Sequence, residues 1–120
     1  MNEALVSKTG VPSWYYIKYD NKIIAGLGVI KNDFHKRHDL TPNICAVYVN
    51  EGYRMHGIAK ELLNYTCNEL RKKKIENVYL ITTHKDFYER CGFNYYSDIE
   101  ENDGKIVRCY QKNYKKDNIF

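Results

Sequence analysis

The sequence predicts a single α+β domain over its 120 residues, and three features of the residue pattern carry that expectation. The aromatic and β-branched segment Trp14 to Tyr19 is followed by the turn signal Asp20-Asn21 and a second apolar run, Ile23 to Ile30. Together they read as an antiparallel hairpin. A strand at Ile44 to Val49, a helix from Gly57 to near Lys74 and a strand at Val78 to Thr82 form a β-α-β unit with parallel strands. Two last strands, Phe93 to Tyr96 and Lys105 to Gln111, surround a polar turn at Glu100 to Gly104.

Each element has a local reason. Gly26 and Gly28 are unusual inside a strand and point to a bulge or a close backbone approach. Lys31 to Asp39 is a polar loop holding Asp33, His35 and His38, and Pro42 closes it. Ile44 to Val49 is apolar nearly throughout, as a strand buried on both faces should be. In the helix, Ile58, Ala59, Leu62, Leu63, Thr66, Cys67 and Leu70 recur at three- and four-residue intervals, with Lys60, Glu61, Asn64, Asn68 and Glu69 opposite. Arg71 to Lys74 fill its last turn, where cations offset the negative helix end, and read as a solvated terminus rather than an RNA or DNA contact. Asp86 to Arg90 is a short helix stopped by Gly92 at the C-cap. The core spans 14–111, and the charged tail, Lys112 to Phe120, is expected to fray.

Composition narrows the function. Hydrophobic residues make up 43% of the chain, enough for a packed core. The formal net charge of +4 suits an anionic small molecule without demanding nucleic acid. No apolar run reaches the roughly 18 residues of a membrane span. Met1 to Gly10 is too polar for a signal peptide. Cys45, Cys67, Cys91 and Cys109 form no C-x-x-C pair, which suits reduced thiols and a cytoplasmic location. The spacing of His35, His38 and Cys45 matches no common structural zinc site, so no metal is expected.

The most informative stretch is Val47 to Ala59, which leads from a strand through a tight turn into a helix. The first amides of a helix lack internal partners, point outward and carry partial positive charge. A pyrophosphate placed there accepts several of them at once. Close approach needs small residues, which accounts for Gly57 and Ala59, and Arg54 adds a fixed charge beside the turn. His56 either adds charge or contributes only its backbone.

Arg54-Met55-His56-Gly57-Ile58-Ala59 resembles the R/Q-x-x-G-x-G/A signature of the GNAT N-acetyltransferase family, where this loop grips the pyrophosphate of CoA. Downstream, Tyr88-Glu89-Arg90-Cys91-Gly92-Phe93 resembles the family's Y-E-x-x-G-F motif, which ends its short fourth helix. The motifs occur in the family's order with a β-α-β span between them. The resemblance covers Trp14 to Gln111 and implies a GNAT-type acyl-CoA N-acyltransferase fold. Such a fold has a mixed, mostly antiparallel sheet flanked by helices, here with the N-terminal strand and helices shortened or missing. Acetyl-CoA is the implied cosubstrate, held by Val47, Val49, Arg54, Met55, His56, Gly57, Ile58 and Ala59. Within that set the backbone N–H groups of Val47 and Val49 would meet the thioester carbonyl and pantetheine. The implied reaction moves an acetyl group to a primary amine by direct attack through a tetrahedral intermediate. Direct attack gives the cysteines no nucleophilic role, and Cys45 and Cys91 read as buried packing residues.

Tyr88 aligns with the family tyrosine that faces the CoA sulfur and is the expected general acid, although twelve tyrosines make a purely core role a serious competitor. His84 is the first choice of base, because imidazole accepts a proton near neutral pH and the residue stands four positions before Tyr88. Asp33, His35 and Glu51, the last acting through a water, are alternatives. Many family members place a CoA-contacting Asn within the stretch corresponding to Thr82 to Lys85; none stands there, which leaves His84 or Thr83. The shortened N-terminus keeps a second reading open, a CoA-binding regulatory or scaffold module without acceptor chemistry. A small RNA- or DNA-binding domain using Arg71 to Lys74 and the basic tail is a third. A homodimer is an option, since a partner would cover the missing layer. The acceptor amine is not specified by any motif. Trp14-Tyr15-Tyr16 with Tyr19 reads as sheet packing rather than a base-stacking platform.

Overall fold

The computed structural model describes residues 3–6, 12–84 and 86–113. A short strand, Glu3–Val6 (β1), runs antiparallel to Ser13–Tyr19 (β2), which turns into Lys22–Ile30 (β3). The turn residues Asp20 and Asn21 have φ of 52° and 62°. Both are left-handed, the two-residue geometry that follows strand twist, and Asp and Asn tolerate it better than most residues. Asn43–Val49 (β4), a 3₁₀ turn at Glu51–Tyr53, Ile58–Lys72 (α1), Asn77–Thr82 (β5) and Asp86–Arg90 (α2) follow. Asn94–Glu100 (β6) and Ile106–Asn113 (β7) complete one seven-stranded sheet of order β1-β2-β3-β4-β5-β7-β6. Every neighbouring pair is antiparallel except β4 and β5.

The N-terminal strand expected to be shortened or missing is present, four residues long. β6 continues to Glu100 rather than ending at Tyr96, and β7 reaches Asn113, so Lys112 and Asn113 belong to the sheet and not to a frayed tail. Residues 114–120 of that expected tail lie outside the described residues. Among the described residues no helix is long and apolar enough to cross a membrane.

α1 lays the predicted stripe on one face of the sheet: Ile58, Leu62, Leu63, Thr66, Cys67 and Leu70 are all buried. They pack with Tyr15, Ile17, Leu27 and Val29 from the hairpin and Val78 and Leu80 from β5. Thr66 is the one polar member, and its hydroxyl donates to the Leu62 carbonyl at 2.8 Å. On the other face, Leu40 from the loop after β3 joins Tyr79, Ile99, Val107 and Cys109. His35 anchors that loop. Arg37 N–H donates to its Nδ1 at 3.2 Å, which leaves Nε2–H to donate to Asn43 Oδ1 at 2.7 Å.

Gly26 and Gly28 produce both features expected of them. The register passes from Gly26–Tyr48 to Gly28–Cys45, so Leu27 faces two residues of β4, Ala46 and Val47. The extra residue makes a bulge in β4, with Ala46 at φ 54°. A Cβ on Gly26 would stand 2.7 Å from the Tyr48 ring, and one on Gly28 would stand 2.4 Å from the Trp14 ring. The glycines therefore let two aromatic rings lie across the sheet.

β4 departs from the expectation of burial on both faces. Asn43 and Ile44 are buried, but Ala46 and Tyr48 are exposed and Cys45, Val47 and Val49 half-buried. The physical reason is that, among the described residues, the cluster around Leu40 does not extend over Ala46 and Tyr48, and that β5 diverges from this half of β4. Cys45 is consequently not the buried packing residue expected, whereas Cys91 is.

Candidate active site

β4 and β5 share a single register pair, Asn43–Tyr79, and splay apart beyond it. Asn50 N–H, just past β4, donates to Ile24 O at 2.7 Å. Alternation along the strand then turns the amides of Val47 and Val49 to the other edge, the one β5 leaves uncovered. Arg54 reports the same edge, since its Nε donates to Val49 O at 3.0 Å. Its terminal guanidinium nitrogens have no protein partner among the described residues.

Gly57 is the N-cap of α1, at φ 72° and with no capping side chain. Its first helical bond runs from Glu61 N–H to Gly57 O at 3.0 Å, so the amides of Ile58, Ala59 and Lys60 precede the intrahelical ladder. A Cβ at Gly57 would meet no protein atom within 4 Å. The glycine is therefore required by the left-handed backbone, and open space in front of it adds room for a ligand. Close approach of a phosphate, the reason expected from sequence, accounts only for the second of these.

A groove of about 450 Å³ opens beside β4, lined by Val47, Tyr48, Val49, Arg54, Ala59, His84, Phe87 and Tyr88. A further 280 Å³ continues from it along the start of α1, past Met55, Gly57, Ile58, Lys60 and Arg90. The two parts share Val49, Arg54, Ala59 and Phe87. Arg54, Lys60 and Arg90 gather at the second part, and among the described residues no carboxylate lines either. The uncapped helix start and three cations suit an anionic group.

Tyr88 closes the other end. It is 9% exposed, packed edge-on against Phe87 and Phe93 and 6.3 Å from the Tyr110 ring. Burial pushes its phenol above the ordinary value of 10, so it holds its proton at neutral pH. Two devices fix its helix. Gly92 (φ 89°) ends α2 in a Schellman motif, with Phe93 N–H donating to Tyr88 O at 3.0 Å and Gly92 N–H to Glu89 O at 3.1 Å. Glu89 accepts from the Tyr110 hydroxyl at 3.1 Å, and Arg108 Nε donates to that hydroxyl at 3.1 Å. His84 is exposed on the same groove, held just past β5 by its N–H donating to Thr82 Oγ1 at 3.0 Å.

The structure thus gathers Val47, Val49, Arg54, Met55, Gly57, Ile58, Ala59, His84 and Tyr88 around one groove. His56 is exposed in the turn and lines neither part. His35 is fully buried with both ring nitrogens engaged, which removes it as a candidate base. Asp33 and Glu51 stand outside the groove lining. Sequence reasoning missed Tyr48, Tyr53, Lys60, Phe87 and Arg90 as lining residues. Helical spacing places Lys60 and Arg90 on solvent-facing sides of separate helices, and no local signal shows that those sides converge.

A model of the acetyltransferase (GNAT) family matches residues 3–93 of the chain. Solved structures agree in fold. A GNAT family acetyltransferase from Elizabethkingia anophelis with acetyl-CoA bound superposes with a TM-score of 0.70 at 17% identity, covering 93% of this chain and 97% of that one. The IAA acetyltransferase from Bacillus cereus gives a TM-score of 0.66 at 17% identity, over 85% of this chain and 77% of that one. A GNAT family acetyltransferase from Staphylococcus aureus gives 0.62 at 23% identity, over 84% and 67%. No curated protein matches the chain in sequence. With the family model spanning β1 through the end of α2, the chain belongs to the GNAT family of acetyltransferases.

Proposed function

We propose that this chain is an acetyl-CoA-dependent N-acetyltransferase acting on a primary amine. The observation that carries the reading is the single groove in which an open strand edge, an uncapped helix start with three cations, and a buried neutral tyrosine meet. The donor set fits acetyl-CoA. The amides of Ile58, Ala59 and Lys60, with Arg54, Lys60 and Arg90, would hold its phosphates, and the amides of Val47 and Val49 would meet the pantetheine and thioester carbonyl. When bound, acetyl-CoA supplies the activated acetyl group, which the amine takes as the CoA thiol leaves.

The residues divide the remaining work. A free alkylamine has a pKa of about 10.4 and must lose a proton before it can attack. His84, exposed on the groove wall, is the group we assign to receive it. The amides at Val47 and Val49 are preorganised donors for the charge that develops on the carbonyl oxygen. Tyr88 keeps its proton and is a weaker acid than a free phenol, so it acts by a positioned hydrogen bond to the departing sulfur rather than by complete transfer.

One observation favours the scaffold reading: only residues 7–12 connect β1 to β2, fewer than two helices need. Thiol release from acetyl-CoA, measured with a mixed amine panel alongside calorimetric binding, separates the cases. Amine-dependent release supports the transferase. Binding without release moves the chain to a CoA-binding module, and absence of binding removes both.

A further inference from the structure

We infer that His35 is a positioning residue, which locks the loop between β3 and β4 as a brace and so fixes the gap between the two walls of the groove. The inference rests on the transferase reading and adds to it a residue that is fully buried and acts through others. The groove takes one wall from each half of the sheet. Val47, Tyr48 and Val49 come from β4, which pairs with β3. His84, Phe87 and Tyr88 follow β5, which pairs with β7 and through it with β6. The halves meet at one register pair, Asn43–Tyr79, beside which Tyr79 N–H donates to Pro42 O at 3.0 Å. On one face α1 packs with both halves, with Leu27 and Val29 as well as Val78 and Leu80. On the other face the loop at 31–42 crosses the junction. It leaves β3 and returns to β4, yet it grips the second half. Lys36 N–H donates to Glu100 O at 2.9 Å, and Asn102 N–H donates to Phe34 O at 2.8 Å. Leu40 packs with Tyr79, Ile99, Val107 and Cys109 of β5, β6 and β7.

His35 holds this loop in one shape. Asn43 donates its amide protons to Lys31 O at 3.0 Å and Leu40 O at 2.8 Å, which leaves its Oδ1 as the atom facing His35. Nε2 of His35 therefore carries the proton of their 2.7 Å bond, and Nδ1 accepts from Arg37 N–H at 3.2 Å. Asn32 brackets the His35 backbone, donating to its carbonyl at 3.0 Å and accepting its N–H at 3.1 Å. His35 and Asn43 are both fully buried, so losing their bond leaves a polar atom unpaired. Asn43 is also the residue at which the two halves meet. Val47 and Val49 lie beyond it by about 13–20 Å, at about 3.3 Å per residue. Over that length a rocking of about 5° moves one wall roughly 1–2 Å against the other, and about 1 Å of misplacement costs about 100-fold in rate. The groups assigned to acetyl-CoA, all but Arg90, ride on β4, the turn after it and α1. Turnover therefore depends on the gap far more than acetyl-CoA affinity does.

The experiment compares His35→Leu, which loses the bond to Asn43, with His35→Gln, whose amide nitrogen stands near the place of the imidazole Nε2 and keeps it. Asn32→Ala, at a half-buried position, loosens the same loop more gently and serves where His35→Leu does not fold. In the parent, long-range nitrogen–proton spectra of the imidazole should show Nε2 protonated and Nδ1 bare. In His35→Leu kcat should fall about tenfold to a hundredfold, with acetyl-CoA affinity in calorimetry within about threefold of the parent. Asn32→Ala should show the same split at smaller size, and His35→Gln should recover most of the lost turnover. A role confined to stability would lower the thermal midpoint and leave the kcat of the folded enzyme at the parent value in His35→Leu, or in Asn32→Ala where only that variant folds. That result would overturn the inference. So would parallel losses of turnover and acetyl-CoA affinity, turnover in His35→Gln as low as in His35→Leu, or a proton on Nδ1. A parent that releases no thiol when amine is added would instead defeat the transferase reading, while the imidazole spectrum would still report the lock.

Discussion

Gly57→Glu separates the two reasons for a glycine at the head of α1. At φ 72° any side chain carries a left-handed cost of about 1–2 kcal/mol. No protein atom lies within 4 Å of the added Cβ, so no clash contributes. Gly57→Ala therefore measures the backbone cost alone, and a midpoint drop of about 4–8 °C in thermal unfolding is expected. Glu adds a carboxylate that would stand about 5 Å from a phosphate held by the Ile58 and Ala59 amides. At an effective dielectric of about 20, each unit-charge repulsion at that distance is about 3 kcal/mol, or roughly two orders of magnitude in Kd. Titration calorimetry with CoA should thus show Gly57→Ala binding within a few-fold of the parent and Gly57→Glu binding weaker by about 100-fold or more. Equal CoA affinity in Gly57→Glu and Gly57→Ala would refute the reasoning, because it would mean no anion approaches this helix start.

Tyr88→Phe should lower kcat by about tenfold to a hundredfold and leave CoA affinity intact, since only the hydrogen bond to the sulfur is lost; steady-state kinetics with calorimetry checks it. Burial raises the Tyr88 phenol, and the protonated form is the useful one, so any loss of rate from its ionisation should have its midpoint above the ordinary phenol value of 10 and vanish in Tyr88→Phe. An alkaline fall with its midpoint below 10 that disappears in Tyr88→Phe would contradict the assigned burial. Arg54→Met should weaken CoA by about tenfold to a hundredfold, as loss of a charge-assisted contact, and flatten the salt dependence of binding. Leu63→Ala, at a fully buried position under the sheet, should cost about 2–5 kcal/mol in urea unfolding without shifting the kcat of the folded fraction.

The parts of the fold that can be read from sequence are those with strong local grammar. α1 announces itself by a stripe with a helical period, and the hairpin by Asp20-Asn21 between two apolar runs. The end of β6 is hard to read because Tyr96 to Asp98 sit on an edge strand whose side chains are exposed or half-buried, so alternation is weak there. β1 is obscure for a related reason, being four residues at the opposite edge. In β4 the apolar run is legible but its meaning is not. Val47 and Val49 are apolar because they wall a groove and touch the core, while Tyr48 covers a glycine on an open face.

The site divides in the same way. Arg54, Met55, Gly57, Ile58 and Ala59 can be read together because the turn before α1 is contiguous, although His56 within it lines neither part of the groove, and Tyr88 because Gly92 and Phe93 mark the end of its helix. Lys60 and Arg90 reach one groove only through the packing of α1 and α2 beside β4, a relation no spacing encodes. By residue type alone His35 qualifies as a base. Its full burial within the loop after β3 and its bond to Asn43 are tertiary facts.

Nitrogen–proton correlation spectroscopy during titration with CoA follows each backbone amide separately, and so reads the phosphate turn and the open strand edge at once. Ile58, Ala59 and Lys60 at the α1 head, with Val47 and Val49 on β4, are expected to shift most and in parallel. Saturable binding that leaves those amides in place and moves others instead would contradict a CoA site built from them.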